Sequence, residues 1–372
     1  MQGAPQAFLY WGVARYKCEG RKKLPAGGVT MKVATYYSPT EIRYEDAPVP
    51  AVGPEELLVA MKACGVCGSD LMAWYLEDRA PLVLGHEPAG VVAAVGDAVT
   101  DFAAGDHVFV HHHVACLTCH FCLRGAYTMC DQYRRTHLDP GGFAEYFRVP
   151  TPNLRIDTLK LPPQLSFEEA TLIEPTACCL KALKKCGIQL GDTAVVVGAG
   201  PSGLLHLMLL QTLGVGSIIV SEPLPYRRQA AERLGADVVI DPATEDFQQA
   251  VRAATRGRGG DVVIVTAPSI SAIAAGFDAC ARGGTLSIFA PTAPAASFPV
   301  RPNRLFFSEV TVVSSYSTSH LETRAALTLI TAKRINARAL ITHRFPLRET
   351  GKAFKVAREE KESLKVIVTG ET

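Results

Sequence analysis

The chain has 372 residues, 48% of them hydrophobic and 20% charged, with a formal net charge of +2, a profile that fits a globular protein with room for two domains. No basic excess points to nucleic acid, and no run approaches the ~18–20 uninterrupted apolar residues of a membrane-spanning helix. Neither a nucleic acid nor a membrane is expected as a partner, and the expected location is cytoplasmic.

Residues 1–30 show no clean helix or strand period. QAFLYWGVA is apolar, but its charges, RYKCEGRKK, follow it, whereas a secretory signal places them first. This stretch is expected to be an extension, or translation begins at Met31, where MKVATYY opens as a strand. Between 31 and 150, Gly and Pro separate short alternating segments such as ELLVAMKA, GVVAAVG and DHVFVH. That texture predicts antiparallel strands in a barrel-like domain. From Val195 onward the pattern becomes regular. TAVVVGAG, SIIVSEP, DVVID, DVVIVTA, TLSIFAP and VTVVSS alternate with helical stretches such as SGLLHLMLLQTLG and YRRQAAERLGA. Short β-branched runs alternating with helices predict crossover units and a parallel sheet covered on both faces. Residues 319–372 return to mixed helix and strand, so the fold class expected is α/β.

GAGPSG, Gly198 to Gly203 with Pro201 and Ser202 inside it, fits G-x-G-x-x-G. Alone the pattern is weak. Here VVV precedes it, a helix follows, and Glu222 closes the next strand nineteen residues later. Gly198 would permit the tight turn, Gly200 the approach of a pyrophosphate, and Gly203 the packing of helix on strand. Glu222 would accept from ribose hydroxyls and repel a 2′-phosphate, which favours NAD over NADP, although Arg227 and Arg228 stand near enough to hold such a phosphate.

The eleven cysteines are mostly scattered, and without a secretory signal a disulfide framework is not expected. Four cluster in CLTCHFCLRGAYTMC: Cys116, Cys119, Cys122 and Cys130. A ferredoxin run would need its fourth cysteine after three residues, then proline; here seven intervene and Asp131 follows. Four thiolates on a compact lobe match a closed structural zinc site, with an iron–sulfur cluster and a metal-free lobe as the alternatives. A second constellation comprises Cys67 and Ser69 in GVCGSD, His86 and Glu87 in GHEPAG, and Glu174 in LIEPTACC. A thiolate, an imidazole and carboxylates suit a zinc that keeps one position free. Singly each is bland, since a lone buried Cys is usually a small hydrophobe.

The motifs GVCGSD, GHEPAGVVAAVG, the four-cysteine lobe, GGFAEY, IEP and VVVGAGPSG occur in that order. From about Met31 to its end the chain resembles the medium-chain zinc-dependent alcohol dehydrogenases. Glu174, where the liver-type members have cysteine, resembles the sorbitol and threonine dehydrogenase branch. The resemblance implies a GroES-like β-barrel catalytic domain, residues 31–185 and 319–372, and a doubly wound Rossmann domain, residues 186–318, with the active site between them. It implies two zinc ions per chain. Cys67 and His86 match catalytic ligands, Glu87 and Glu174 match carboxylates that bind zinc directly or through its water, and Cys116, Cys119, Cys122 and Cys130 match the structural ligands. Ser69 matches the hydroxyl that begins proton release, and Glu222 and Arg227 match an acidic and basic pair on the adenosine ribose. A homo-oligomer, dimer or tetramer, is implied in the same way.

The expected function is zinc-dependent hydride transfer between a secondary alcohol or polyol, or the matching ketone or aldehyde, and NAD(H). A non-catalytic nucleotide-binding protein and a zinc-independent quinone or enoyl reductase are the alternatives; neither needs this ligand set. Many relatives carry a histidine five residues after the ligand cysteine to end a proton relay, and here Met72 stands there. Methionine carries no proton. His111, His112 and His113 are expected to pack beside the cysteine lobe. Pocket walls rather than motifs choose among polyols, amino alcohols and simple secondary alcohols.

Overall fold

The computed structural model describes residues 28–371; most of the amino-terminal extension expected over residues 1–30 lies outside the described residues. The first half supplies β1 (Thr30–Ser38), β2 (Glu41–Pro48), β3 (Leu57–Gly65), β4 (Leu82–Val83), β5 (Pro88–Val95), β6 (His107–Val110), β7 (Tyr146–Val149) and β8 (Thr158–Lys160). β1 pairs antiparallel with β2 on one side and β4 on the other. β3, LLVAMKACG, is buried along nearly its whole length and accepts β5 and β7 as antiparallel neighbours. β6 and β8 extend the sheet beyond β5.

The second half supplies β9 (Thr193–Val197), β10 (Ser217–Ser221), β11 (Val238–Ile240), β12 (Gly260–Val265), β13 (Cys280–Ile288) and β14 (Thr311–Ser314). They form one sheet in the order β11-β10-β9-β12-β13-β14, every pair parallel. β9 is therefore flanked by the second strand of the unit on one side and the fourth on the other, and the crevice above this reversal is where such sheets bind ligands. The last strands, β15 (Ile341–Pro346) and β16 (Lys365–Thr369), return to the first sheet, with β16 antiparallel to β3.

A helix at Ile173–Lys185 joins the halves. Its Ile173, Ala177, Leu180 and Leu183 pack in one apolar cluster with Phe109 and Ile367 of the first sheet and Leu204, Leu207 and Val196 of the second unit. Each fully buried leucine or isoleucine contributes about 1.5–3 kcal/mol, so the two units share a core across this seam. The same helix makes polar bonds in three directions. Lys181 Nζ donates to Thr128 Oγ1 (3.0 Å) and to Tyr316 O (2.7 Å), Lys185 Nζ to Ser314 O at the end of β14 (2.8 Å), and Lys184 pairs with Glu322 (2.8 Å).

Candidate active site

Cys67 sits where β3 ends and a single 3-10 turn, Gly68–Leu71, begins. The turn is closed by Asp70, whose Oδ2 accepts from Cys67 N at 3.0 Å. Its Oδ1 lies 3.3 Å from Nδ1 of His86. One buried carboxylate thus fixes both the thiol-bearing turn and the imidazole, and leaves the far nitrogen of His86 to act as a ligand. Burial works against a charge on His86, but Asp70 and Cys67 outweigh it and hold its pKa well above the ordinary value. The ligand atoms of Cys67, His86 and Glu87 all lie within 4.8 Å of one another. Such a donor set fits zinc.

Glu87 is fully buried and ion-paired with Lys365 of β16, which itself donates to Val66 O at 3.0 Å. Burial pushes the Glu87 carboxyl up while Lys365 opposes it. Gly65 makes the room: a Cβ there would strike Glu87 Oε2 and come 2.7 Å from Lys365 Cε. Ser69 lies half-buried in the same turn as Cys67, and Met72 caps that turn through a bond from its N–H to Ser69 O at 3.3 Å.

Glu174 lies in the first turn of the helix Ile173–Lys185, 4% exposed, where the helix dipole favours a carboxylate. The structure groups it with His111 and His112, their ligand atoms within 4.8 Å of one another, rather than with Cys67 and His86. The two groups adjoin, since the rings of His86 and His112 are 4.9 Å apart. Of the three consecutive histidines, His113 and His111 lie beside Tyr133 of the cysteine lobe, with ring centroids 5.1 and 6.0 Å away, whereas His112 turns toward His86.

The nucleotide turn follows β9. Gly198 has φ +102°, and a Cβ there would come 2.6 Å from Thr266 Oγ1; a Cβ on Gly203 would strike Gly198 O. Gly200, by contrast, faces open space apart from Arg227 Nη1, 3.6 Å from where its Cβ would be. Gly200 caps the helix Pro201–Thr212 with no side-chain hydrogen bond, which leaves amide groups for an anion. Glu222 Oε2 accepts from Ala199 N at 2.7 Å and Oε1 from Leu224 N at 3.0 Å. Arg227 Nη2 donates to Ser363 O (3.3 Å), while its Nη1 lies beside Gly200 of the glycine turn. Arg228 is engaged by the carbonyls of Glu222 and Pro223 and by Asp241 at 2.9 Å. Turn and metal group are tied through the joining helix: Cys178 Sγ donates to Glu174 Oε1 (3.1 Å) and Cys179 Sγ to Ser202 O (3.6 Å).

Cys116, Cys119, Cys122 and Cys130 converge in the lobe, all free, with Cys119 and Cys122 sulfurs 3.6 Å apart and those of Cys116 and Cys122 4.0 Å apart. These separations exceed an S–S bond of about 2.05 Å and match the edges, about 3.8 Å, of a tetrahedron built on Zn–S bonds of about 2.3 Å. Leu117, at φ +65°, folds the knuckle. Backbone and hydroxyl hydrogen bonds from Thr118 bring the Cys116 thiol down to about 6, whereas burial raises Cys122 to about 12.

Sequence reasoning missed Asp70, Lys365 and the pairing of His111 with Asp157. Asp70 had a local signal, its position three residues after Cys67, which closes a turn. The others meet only through the fold.

A family model described as Alcohol dehydrogenase GroES-like domain matches residues 53–162, and one described as Zinc-binding dehydrogenase matches residues 201–332. The chain is 32% identical to sorbitol dehydrogenase of Bacillus subtilis over 91% of its own length and 97% of that protein. It is likewise 32% identical to L-threonine 3-dehydrogenase of Pyrococcus furiosus, covering 81% of this chain and 87% of the relative. Among solved structures, 2R,3R-butanediol dehydrogenase from Bacillus subtilis superposes with a TM-score of 0.80 at 29% identity, over 91% of this chain and 99% of that one. With these matches and the site above, the chain belongs to the zinc-dependent medium-chain alcohol dehydrogenases, on the sorbitol and threonine dehydrogenase-like branch, and is a zinc- and NAD(P)-dependent alcohol or polyol dehydrogenase.

Proposed function

We propose that Cys67 and His86, with the carboxylates of Glu87 and Glu174 beside them, hold the catalytic zinc, that Cys116, Cys119, Cys122 and Cys130 hold a structural one, and that the substrate is a polyol or diol oxidised with NAD in preference to NADP. The observation that carries this reading is the convergence of Cys67, His86 and Glu87 next to a helix whose Cys179 touches the glycine turn. When bound, zinc supplies a Lewis acid for the alcohol oxygen and the nicotinamide supplies the hydride acceptor.

The chain's own residues do the rest. Asp70 orients His86 and the Cys67 turn. Gly200 and the open amides of the helix Pro201–Thr212 hold the pyrophosphate, with Arg227 beside them. Ser69 accepts the proton of the substrate hydroxyl, and because Met72 carries no proton, that proton leaves through water. Glu222, anchored by two backbone amides, stands where a 2′-phosphate would have to lie, and Arg228 is already engaged; both support NAD. The names of the sorbitol and butanediol dehydrogenases support a polyol or diol.

The division into residues 31–185 with 319–372 and residues 186–318 is supported by sheet membership: β15 and β16 join the sheet of β3, whereas β9 to β14 form a sheet of their own. A homo-oligomer is supported by β14, an edge strand of its sheet, with Val312 43% exposed and Phe306 and Phe307 about three-quarters exposed nearby. No helix among the described residues is long and apolar enough to cross a membrane, and ten cysteines there are free thiols, which supports the cytoplasm. NADH formation by the zinc-loaded protein, measured across polyols, diols and amino alcohols with NAD and NADP in turn, tests the reading. A higher kcat/KM with NADP overturns the cofactor choice, and turnover of none of these alcohols by a protein that binds NAD overturns the polyol or diol assignment.

A further inference from the structure

The catalytic assignment leaves two imidazoles without a task. His111 is completely buried; its Nδ1 bonds to Asp157 Oδ2 at 2.9 Å, and its Nε2 has no partner among the described residues. Nδ1 of His112 is likewise buried and unpartnered. The ligand atoms of both converge with that of Glu174, yet no hydrogen bond joins either ring to that carboxylate among the described residues. Two ring nitrogens stripped of water and given no protein partner are costly, unless something else sits among them.

We propose that His111 and His112, with Glu174 as a carboxylate shared with the catalytic zinc, form a second divalent-cation site, for an ion of the zinc, cobalt or iron(II) class, adjoining the site of Cys67 and His86; this rests on that first assignment. Two imidazoles and one carboxylate are a donor set for such metals. Asp157 is a positioning residue for it. Itself fully buried, it is held by Thr323 Oγ1 at 2.8 and 2.9 Å and by Arg324 Nη1 at 3.1 Å. As acceptor it keeps the His111 proton on Nδ1 and leaves the Nε2 lone pair for a metal. Pairing points the same way: among the described residues Glu87 pairs with Lys365 and Asp157 with Arg324, whereas Glu174 makes no ion pair.

The test strips the full-length protein of metal, reconstitutes it with Zn2+ or Co2+, and counts metal per chain after dialysis. Wild type should hold one ion more than His111→Leu or His112→Asn. Asp157→Asn should weaken that ion's binding ~10–100-fold, with full occupancy restored at higher metal. If His111→Leu does not fold, His112→Asn, half-buried, carries the test. Folded His111→Leu or His112→Asn protein that holds as many ions as wild type overturns the site. Cys67→Ser probes the first assignment separately: it should lose a different ion, and the double variant with His112→Asn should lose both. If Cys67→Ser alone keeps the wild-type count while His112→Asn loses an ion, the first assignment falls, and with it the reading of this site as a second one beside the catalytic metal.

Discussion

Asp70 serves two neighbours with one carboxylate, the Cys67 amide and the His86 imidazole. Its oxygens set where the thiol and the ring stand before any metal arrives. Asp70→Asn should lower the affinity of the catalytic zinc by ~10–100-fold, read by chelator competition, while the four-cysteine lobe keeps its ion. Ser69, in the same turn, is assigned the substrate proton. Ser69→Ala should slow alcohol oxidation by ~10²–10⁴-fold with metal content unchanged; a near-wild-type rate with hydride transfer rate-limiting would place the first proton acceptor elsewhere. The residues proposed as ligands were legible because each sits in a short motif, and Glu174 because IEP opens a helix. Lys365 was not. KVIVT reads as a strand whose lysine faces water, and only Gly65, three hundred residues earlier in the chain, leaves the space that turns it inward onto Glu87. His111 and Asp157 stand 46 residues apart, a separation that no local spacing rule detects.

At the scale of elements, the parallel sheet was readable because β9 and β12 are buried on both faces and so appear as continuous apolar runs. β2, EIRYEDAP, gives no such signal. It is mostly exposed, and its place is set by pairing with β1 rather than by its own pattern. The cysteine lobe has only a small core of its own, Ala115, Cys122, Cys130 and Tyr133, so its metal replaces hydrophobic packing. Cys130→Ser should therefore lower Tm and zinc content together, whereas Cys67→Ser should abolish activity with Tm closer to wild type; differential scanning calorimetry with metal analysis checks both. The helix after the glycine turn carries a further expectation. His206 is fully buried with Nδ1 on Ser202 O at 2.7 Å, and burial lowers its pKa from 6.5 to about 4. Below pH 6.5 the unfolded chain takes up a proton that the folded chain refuses until about pH 4. Stability should fall with pH across that window, by up to ~1.4 kcal/mol per pH unit from this group. Urea denaturation of His206→Leu should show a shallower decline over the same range.

For the molecule as a whole, the helix Ile173–Lys185 is the common member of every functional part. Its first turn carries Glu174, Cys179 rests on the glycine turn, Lys181 reaches the cysteine lobe, and Lys185 holds the end of β14. A rigid rod with four such attachments cannot settle at one of them without bearing on the others, so metal and dinucleotide should be thermodynamically linked ligands. Linkage is reciprocal: the factor by which zinc tightens NAD must equal the factor by which NAD tightens zinc. With NAD saturating, zinc should bind more tightly by a factor in the usual range of ~5–150, and calorimetric titration of NAD into zinc-free and zinc-loaded protein should return the same factor. A ratio of one in both directions would mean that the rod transmits nothing. A ratio above one would make cofactor supply in the cell a determinant of how long this enzyme keeps its metal.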